Sequence, residues 1–273
     1  VTFGETSSGG VPESFVKETI VVPLNSKEAV QQAFAQFKDE IACVIIEPIP
    51  ANNGLLLQEK EYLQFLRDIC TANKTLLLFD EVISGFRVGF CGAAGYYDIK
   101  PDIITYGKII GGGFPVGAYG ASKEIMSSIS PEGNVYQAGT LSGNPVAMAA
   151  GIAQLTELAK SSFYKELNNK TEEFTASIQR YATSKNYKFK VFHIGSIFWF
   201  AFTDMEKVQT SEAIDPASMD KFKLMHRELL NRGMYFGPSG YEVGFVSAAH
   251  SKMDLEKAKR AIFECLDIVF KNK

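Results

Sequence analysis

Apolar residues in the first half of the chain fall into short continuous runs separated by stretches of helical spacing. The run Ala42–Ile49 (ACVIIEPI) is β-rich and predicts a buried strand that ends in Glu47-Pro48 and opens into the loop Pro50-Ala51-Asn52-Asn53-Gly54. Between Glu59 and Ala72 the apolar positions Tyr62, Phe65, Leu66 and Ile69 recur every three or four residues with charges between them, which predicts an amphipathic helix. Thr75–Val82 (TLLLFDEV) predicts a second buried strand with the acidic pair Asp80-Glu81 at its carboxyl end. Asp102–Tyr106 and Val116–Ala121 predict two further short strands around Gly107-Lys108 and the run Gly111-Gly112-Gly113. Strands alternating with helix and loop give an α/β order and a mostly parallel sheet. Ligands of such sheets gather at the carboxyl ends of the strands.

The second half reads differently. Asn144-Pro145 supplies a helix cap and a first-turn proline ahead of the Ala-rich VAMAAGIAQLTELAK, and a long helix follows at Phe163–Ser184. Lys188–Phe202 then turns aromatic and β-like (FKVFHIGSIFWFAF), before charged helices at Ala217–Asn231 and Met253–Phe270. This change predicts two units: residues 1–160, part of a large α/β domain, and 161–273, a smaller α+β domain. No internal repeat or low-complexity segment interrupts them.

With 273 residues and 46% hydrophobic side chains, the chain can bury a sizeable core. Its 28 basic and 31 acidic groups leave a net charge of -3, which gives no electrostatic footprint for nucleic acid or an anionic membrane and favours a small-molecule ligand. Cys43, Cys70, Cys91 and Cys265 form no CxxC pair, so neither a zinc site nor a disulfide framework is predicted and a reducing compartment, the cytoplasm, fits them. No apolar run is long enough to span a bilayer. The chain opens at Val1 rather than methionine, in a Gly/Ser-rich stretch unlike a cleaved leader, and is therefore expected to begin inside a longer protein whose own N-terminus and any address lie upstream.

Three features carry candidate chemistry. Asp80 closes the run LLLF, an unfavourable place for a charge that lacks a partner, although a solvated strand end or helix cap would also explain it. Lys108 lies between a strand and a Gly-rich loop; most lysines are surface groups, but one held in a partly apolar pocket becomes an amine nucleophile toward an aldehyde. The loop Tyr136–Pro145 (YQAGTLSGNP) places hydroxyls and backbone N–H groups before a helix, which suits an anion such as phosphate or, more simply, a helix cap. GKIIGGG matches neither GxxxxGK[ST] nor GxGxxG. His193, His226 and His250 have no metal-ligand spacing, so no metal is expected. Asp80 and Glu81, adjacent on a strand, point to opposite faces, so only one of them can enter a given site.

Taken together and in order, FDEVISGFR, PDIITYGKIIGGGFPVGAYG and YQAGTLSGNPVAMAAG resemble the core signatures of the class III aminotransferases of pyridoxal-phosphate fold type I. The resemblance covers essentially the whole chain, from GVPESF through EPIPANNG to GPSGYEVGFVSAAH, and is closer still to the glutamate-1-semialdehyde aminomutase branch. It implies pyridoxal 5'-phosphate as cofactor, passing through its pyridoxamine 5'-phosphate form, with Lys108 forming the internal aldimine and Asp80 pairing with the pyridine nitrogen. It also implies that Thr140, with Gly139 beside it, reaches the cofactor phosphate of the other subunit in a homodimer. Asn52 is expected near the ring oxygen, with Val82 among the cofactor contacts. Glu242, in the motif YEVGF, and Ser7 or Ser8 are expected near an amino-aldehyde substrate. The family extends further upstream, where a Gly-Ser/Thr phosphate loop, a ring-stacking aromatic and a carboxylate-binding arginine are expected, so these residues alone are expected to be inactive. The rivals are a two-substrate transaminase and a non-catalytic binding protein of the same fold. The absence of arginine from Gly237–His250 favours the mutase on family pattern.

Overall fold

A computed structural model describes residues 9–271. Its elements follow in the order α1 (Glu13–Val16), α2 (Lys27–Gln36), β1 (Cys43–Ile46), α3 (Lys60–Ala72), β2 (Leu76–Glu81), α4 (Gly92–Tyr97), β3 (Ile103–Tyr106), a 3-10 turn (Lys108–Gly111), β4 (Ala118–Ala121) and α5 (Lys123–Met126). After them come α6 (Pro145–Leu158), α7 (Phe163–Ser184), β5 (Lys190–Ile194), β6 (Ile197–Ala201), a second 3-10 turn (Ser211–Ala213), α8 (Ser218–Asn231), β7 (Gly244–Phe245) and α9 (Lys252–Lys271).

The first sheet has the order β1-β2-β3-β4, in which β1, β2 and β3 run parallel and β4 closes the edge antiparallel to β3. The mostly parallel sheet expected of the α/β class is present, with one antiparallel edge strand. Strand β2 alternates: Leu77, Phe79 and Glu81 are buried, while Leu76, Leu78 and Asp80 are half-buried on the other face. Helices α3 and α4 pack on this sheet, and α3 contributes Leu63, Leu66 and Cys70 to a core shared with Leu77 and Phe79. That amphipathic packing is what the three- and four-residue spacing of α3 predicts.

The second sheet is an antiparallel β5-β6-β7. Strand β6 is buried along its whole length. Its alternation divides two cores: Ile197, Trp199 and Ala201 join the core of the first sheet, whereas Phe198 and Phe200 join one built from α7, α8 and α9 with Phe174, Ile178, Met225, Ile262 and Leu266. Among the described residues no helix is long and apolar enough to cross a membrane, and no group of acidic, histidine or cysteine side chains could hold a metal ion.

Candidate active site

The carboxyl ends of β1, β2 and β3 each deliver one charged side chain to the same end of the sheet: Glu47, Asp80 and Lys108. Register explains the first two. Ile46 pairs with Phe79, so Glu47 and Asp80 are the next residues on neighbouring parallel strands, and in-register neighbours share a face about 4.8 Å apart. Asp80 in turn pairs with Thr105 on β3.

The choice between Asp80 and Glu81 is resolved by what each touches. Glu81 is fully buried and faces α4, where its carboxylate accepts from Ala93 N (2.6 Å), Ala94 N (2.8 Å) and Ser84 Oγ (3.0 Å). It serves as the cap of a helix whose preceding residue, Cys91, makes no side-chain cap. Gly92 has φ +61°, and a Cβ there would collide with the Glu81 carboxylate, so glycine is required by both conformation and space. Asp80 lies on the other face. Its Oδ1 accepts from Val82 N (3.0 Å) and Thr105 Oγ1 (3.4 Å), while Oδ2 meets no donor among the described residues.

Lys108 begins the 3-10 turn after β3 with φ +46°, in the left-handed region that a side-chain-bearing residue enters at a cost of about 1–2 kcal/mol. The conformation sends the chain around Gly111 and Gly112 onto α6, and Gly107, where a Cβ would stand 3.2 Å from Val82 Cγ1, sits directly before it. Lys108 is exposed into a cavity of about 640 Å³ that is also lined by Asn52, Ile83, Glu212, Ser239, Glu242 and Phe245. Asn52 donates from Nδ2 to Glu47 Oε1 at 3.0 Å.

The far wall is held by contacts distant in sequence. Gly54 N donates to Tyr241 O (2.7 Å) and Trp199 Nε1 donates to Gly240 O (2.7 Å), tying the Asn52 loop and the Glu242 loop to one buried indole. Gly54 has φ +83°, and a Cβ there would stand 2.9 Å from the indole ring. Behind this wall the Arg87 guanidinium stacks 3.9 Å from the centroid of the Phe245 ring, and burial lowers its pKa to about 10.

Of the residues singled out from the sequence, Lys108, Asn52 and Glu242 therefore share one cavity. Asp80 and Val82 stand beside it without lining it. Thr140 and Gly139 are exposed on the loop before α6 and are not part of the cavity wall. That loop also does ordinary capping, since Asn144 Oδ1 accepts from Val146 N (3.1 Å) and Ala147 N (3.2 Å). Ser7 and Ser8 lie outside the described residues. Sequence reasoning missed Glu47, Glu212 and Ser239. Glu47 carried a usable signal, a carboxylate at a strand end before proline, whereas the other two come from loops brought in by the second sheet.

The sequence profile described as aminotransferase class-III matches residues 6–260. The chain is 47% identical over 259 residues to the glutamate-1-semialdehyde 2,1-aminomutase of Legionella pneumophila (strain Philadelphia 1), covering 94% of this chain and 60% of that one. It is 44% identical over 258 residues to the enzyme of the same name from Francisella tularensis subsp. mediasiatica, with the same coverage. It thus spans about three fifths of the length of these relatives. Among solved structures, it is similar to an omega-transaminase from Sphaerobacter thermophilus with a TM-score of 0.90 at 29% identity, over 97% of this chain and 60% of that one. A glutamate-1-semialdehyde-aminomutase from Pseudomonas aeruginosa PAO1 shares the fold with a TM-score of 0.82 at 23% identity, over 96% of this chain and 60% of that one. The profile match spans nearly the whole sequence, the relatives agree with it, and the fold is that of these transaminases: the chain belongs to the class III aminotransferase family.

Proposed function

We propose that this chain is the lysine-bearing part of a pyridoxal-phosphate enzyme that moves an amino group within glutamate-1-semialdehyde to form 5-aminolevulinate. The observation that carries the reading is that Lys108 and Asn52 line one cavity, with Asp80 at the strand end beside it, in a chain whose relatives at 47% identity bear that aminomutase name. The donor set suits the cofactor. Asp80 Oδ2, without a donor of its own among the described residues, is an acceptor for a pyridine N–H, and the exposed Lys108 amine is the group that would join the aldehyde. When bound, the cofactor supplies an electron sink for the carbanion left when a proton leaves the substrate carbon.

Within this chain Asp80 would keep the ring nitrogen protonated and Asn52 would address the ring oxygen, while Val82 packs beside Gly107 at the base of the lysine. Lys108 holds and returns the migrating proton as general base and acid. Glu242, with Glu212 on the same wall, gives the substrate side of the cavity an anionic lining suited to an amine-bearing compound. Thr140 and Gly139, exposed before α6, are the groups that would address the cofactor phosphate of the other subunit in a homodimer, and the reading carries a cytoplasmic location with it.

The likeness to an omega-transaminase at 29% identity favours a second reading, amino transfer between two substrates. Incubating the full-length protein with glutamate-1-semialdehyde and no amino donor separates the two. Formation of 5-aminolevulinate, abolished or reduced by about 10³ or more in Lys108→Ala, is expected. Product only when an external amine is added would establish the transaminase instead, and no visible cofactor band in the wild type would end both readings.

A further inference from the structure

Two residues that line the Lys108 cavity come from different sheets: Ile83 follows β2 of the first, and Phe245 lies on β7 of the second. One side chain touches both. Arg87 donates from Nε to Ile83 O at 3.3 Å, and its guanidinium carbon stands 3.9 Å from the centroid of the Phe245 ring. Among the described residues Arg87 makes no ion pair with a carboxylate, so the face of that ring is the electrostatic partner the cation has.

The backbone on either side of Arg87 is held by the second unit as well. Ser196 Oγ donates to Arg87 O (3.3 Å), and Tyr164 Oη donates to Phe86 O (3.0 Å). Gly195, with φ +54°, packs so closely that a Cβ there would stand 2.8 Å from Val88 Cα. Strand β7 is less well held. It has two residues, meets β6 only through Ile197 with Phe245 and Phe198 with Gly244, and leaves Phe245 37% exposed. An edge segment with so few contacts opens easily unless something outside the ladder secures it.

We propose that Arg87 is a positioning residue of the site: by bonding Ile83 and stacking on Phe245 it sets the gap between the two walls of the Lys108 cavity. A guanidinium suits the task because its plane can lie on a ring while an edge N–H donates to a carbonyl, and the round ammonium of lysine has no such plane. A cation–aromatic contact also contributes more where both groups are shielded from water. Without Arg87 the β7 wall is free to relax, whereas Lys108 and Asp80 keep the places that the first sheet gives them. Arg87 therefore governs how firmly a substrate is held more than how fast it reacts.

The inference rests on the reading of this cavity as the substrate site, and it is tested in the full-length protein with two readouts. The first, backbone hydrogen exchange followed by mass spectrometry, needs no substrate. Arg87→Met keeps an unbranched chain but removes the charge and the donor, and is expected to speed exchange in residues 241–246 by about five- to thirtyfold while leaving residues 76–81 of β2 unchanged. Phe245→Leu removes the ring and should act alike, and the double variant should exceed the faster single by no more than about twofold, because both changes break one contact. Arg87→Lys keeps a cation without the plane and is expected to fall between wild type and Arg87→Met; it carries the test if Arg87→Met does not fold. The second readout is 5-aminolevulinate formation, in which KM should rise in Arg87→Met by about the same five- to thirtyfold with kcat within about threefold of wild type. Unchanged exchange at 241–246 in the Arg87 variants, a rise spread equally over 76–81, additive effects in the double variant, or a loss of kcat at constant KM would each overturn the proposal. A wild type that forms no 5-aminolevulinate would sink the aminomutase reading and leave the exchange result standing.

Discussion

Glu81→Ala tests whether the carboxyl end of β2 is held from its hidden face. The substitution leaves the backbone N–H groups of Ala93 and Ala94 and the Ser84 hydroxyl without their common acceptor, in a place where Glu81 itself has no exposed surface. A net hydrogen bond to a charged group contributes roughly 1.5–3 kcal/mol, and a buried donor left unmade costs about 1–3 kcal/mol. These contributions overlap, and water can enter the space the side chain vacates, so a loss of about 3–4 kcal/mol is expected rather than their sum. For a protein of this size each kcal/mol moves the melting temperature by about 2–4 °C, which makes the expected drop roughly 6–16 °C. Burial outweighs the three donors and holds the Glu81 carboxyl above its ordinary value of 4.5. The sign follows from linkage: a raised folded value means stability that is fully present below 4.5 and lost as pH rises through the folded value. The gap between wild type and variant should accordingly be wider near pH 4.5 than near pH 8. Melting curves of both proteins across that range check the magnitude and the slope together. A variant within about 1 kcal/mol of wild type, or a gap that widens with pH, would refute the reasoning.

Three further outcomes follow from single contacts. Lys108→Gly should be more stable than Lys108→Ala by about 1 kcal/mol in cofactor-free protein, because φ +46° suits glycine; equal melting temperatures would contradict it. Asn144→Ala should cost about 1 kcal/mol by uncapping α6, measured by denaturant unfolding, with Asn144→Asp close to wild type. Gly54→Ala meets both a positive φ and the Trp199 ring at 2.9 Å, and should cost at least about 1–2 kcal/mol and change the indole fluorescence, which an unchanged emission spectrum would disprove.

Much of the sheet was legible because its signals are local. The strands at residues 43–46, 76–81 and 103–106 and the helices at 60–72 and 163–184 fall where apolar runs and spacings put them, within a residue or so at most ends. Strand β4 is shorter than Val116–Ala121 suggests, beginning at Ala118. Helix α2 escaped notice although Ser26 caps it and Val30, Ala33 and Phe34 carry its buried stripe. Helix α4 could hardly be read at all: GAAGYY has two glycines in six residues, and what caps it is a carboxylate twelve positions upstream. The acidic pair shows the limit most clearly. Strand alternation says that only one of Asp80 and Glu81 faces a ligand, but which one depends on the location of α4, and that is a tertiary fact.

The same limit explains why Lys108 and Asp80 could be named early and the cavity could not. Asp80 is fixed by its own strand and Lys108 by the turn directly after β3, so a motif of a few residues carries each. The cavity is completed by Glu212, Ser239 and Glu242, more than a hundred positions beyond Lys108, and its shape rests on Trp199. Trp199 belongs to a strand whose alternate side chains fill both cores, and it binds Gly240 while closing over Gly54. The loop carrying Asn52 is therefore packed directly against the hairpin at residues 190–201. A change in the aromatic packing around Phe198 and Phe200, on the opposite face of that strand, would reach the cavity through Trp199 with no residue of the site being altered. The lining of the cavity is consequently a property of how its two sheets meet, whereas the places of Lys108 and Asp80 are set by one sheet alone.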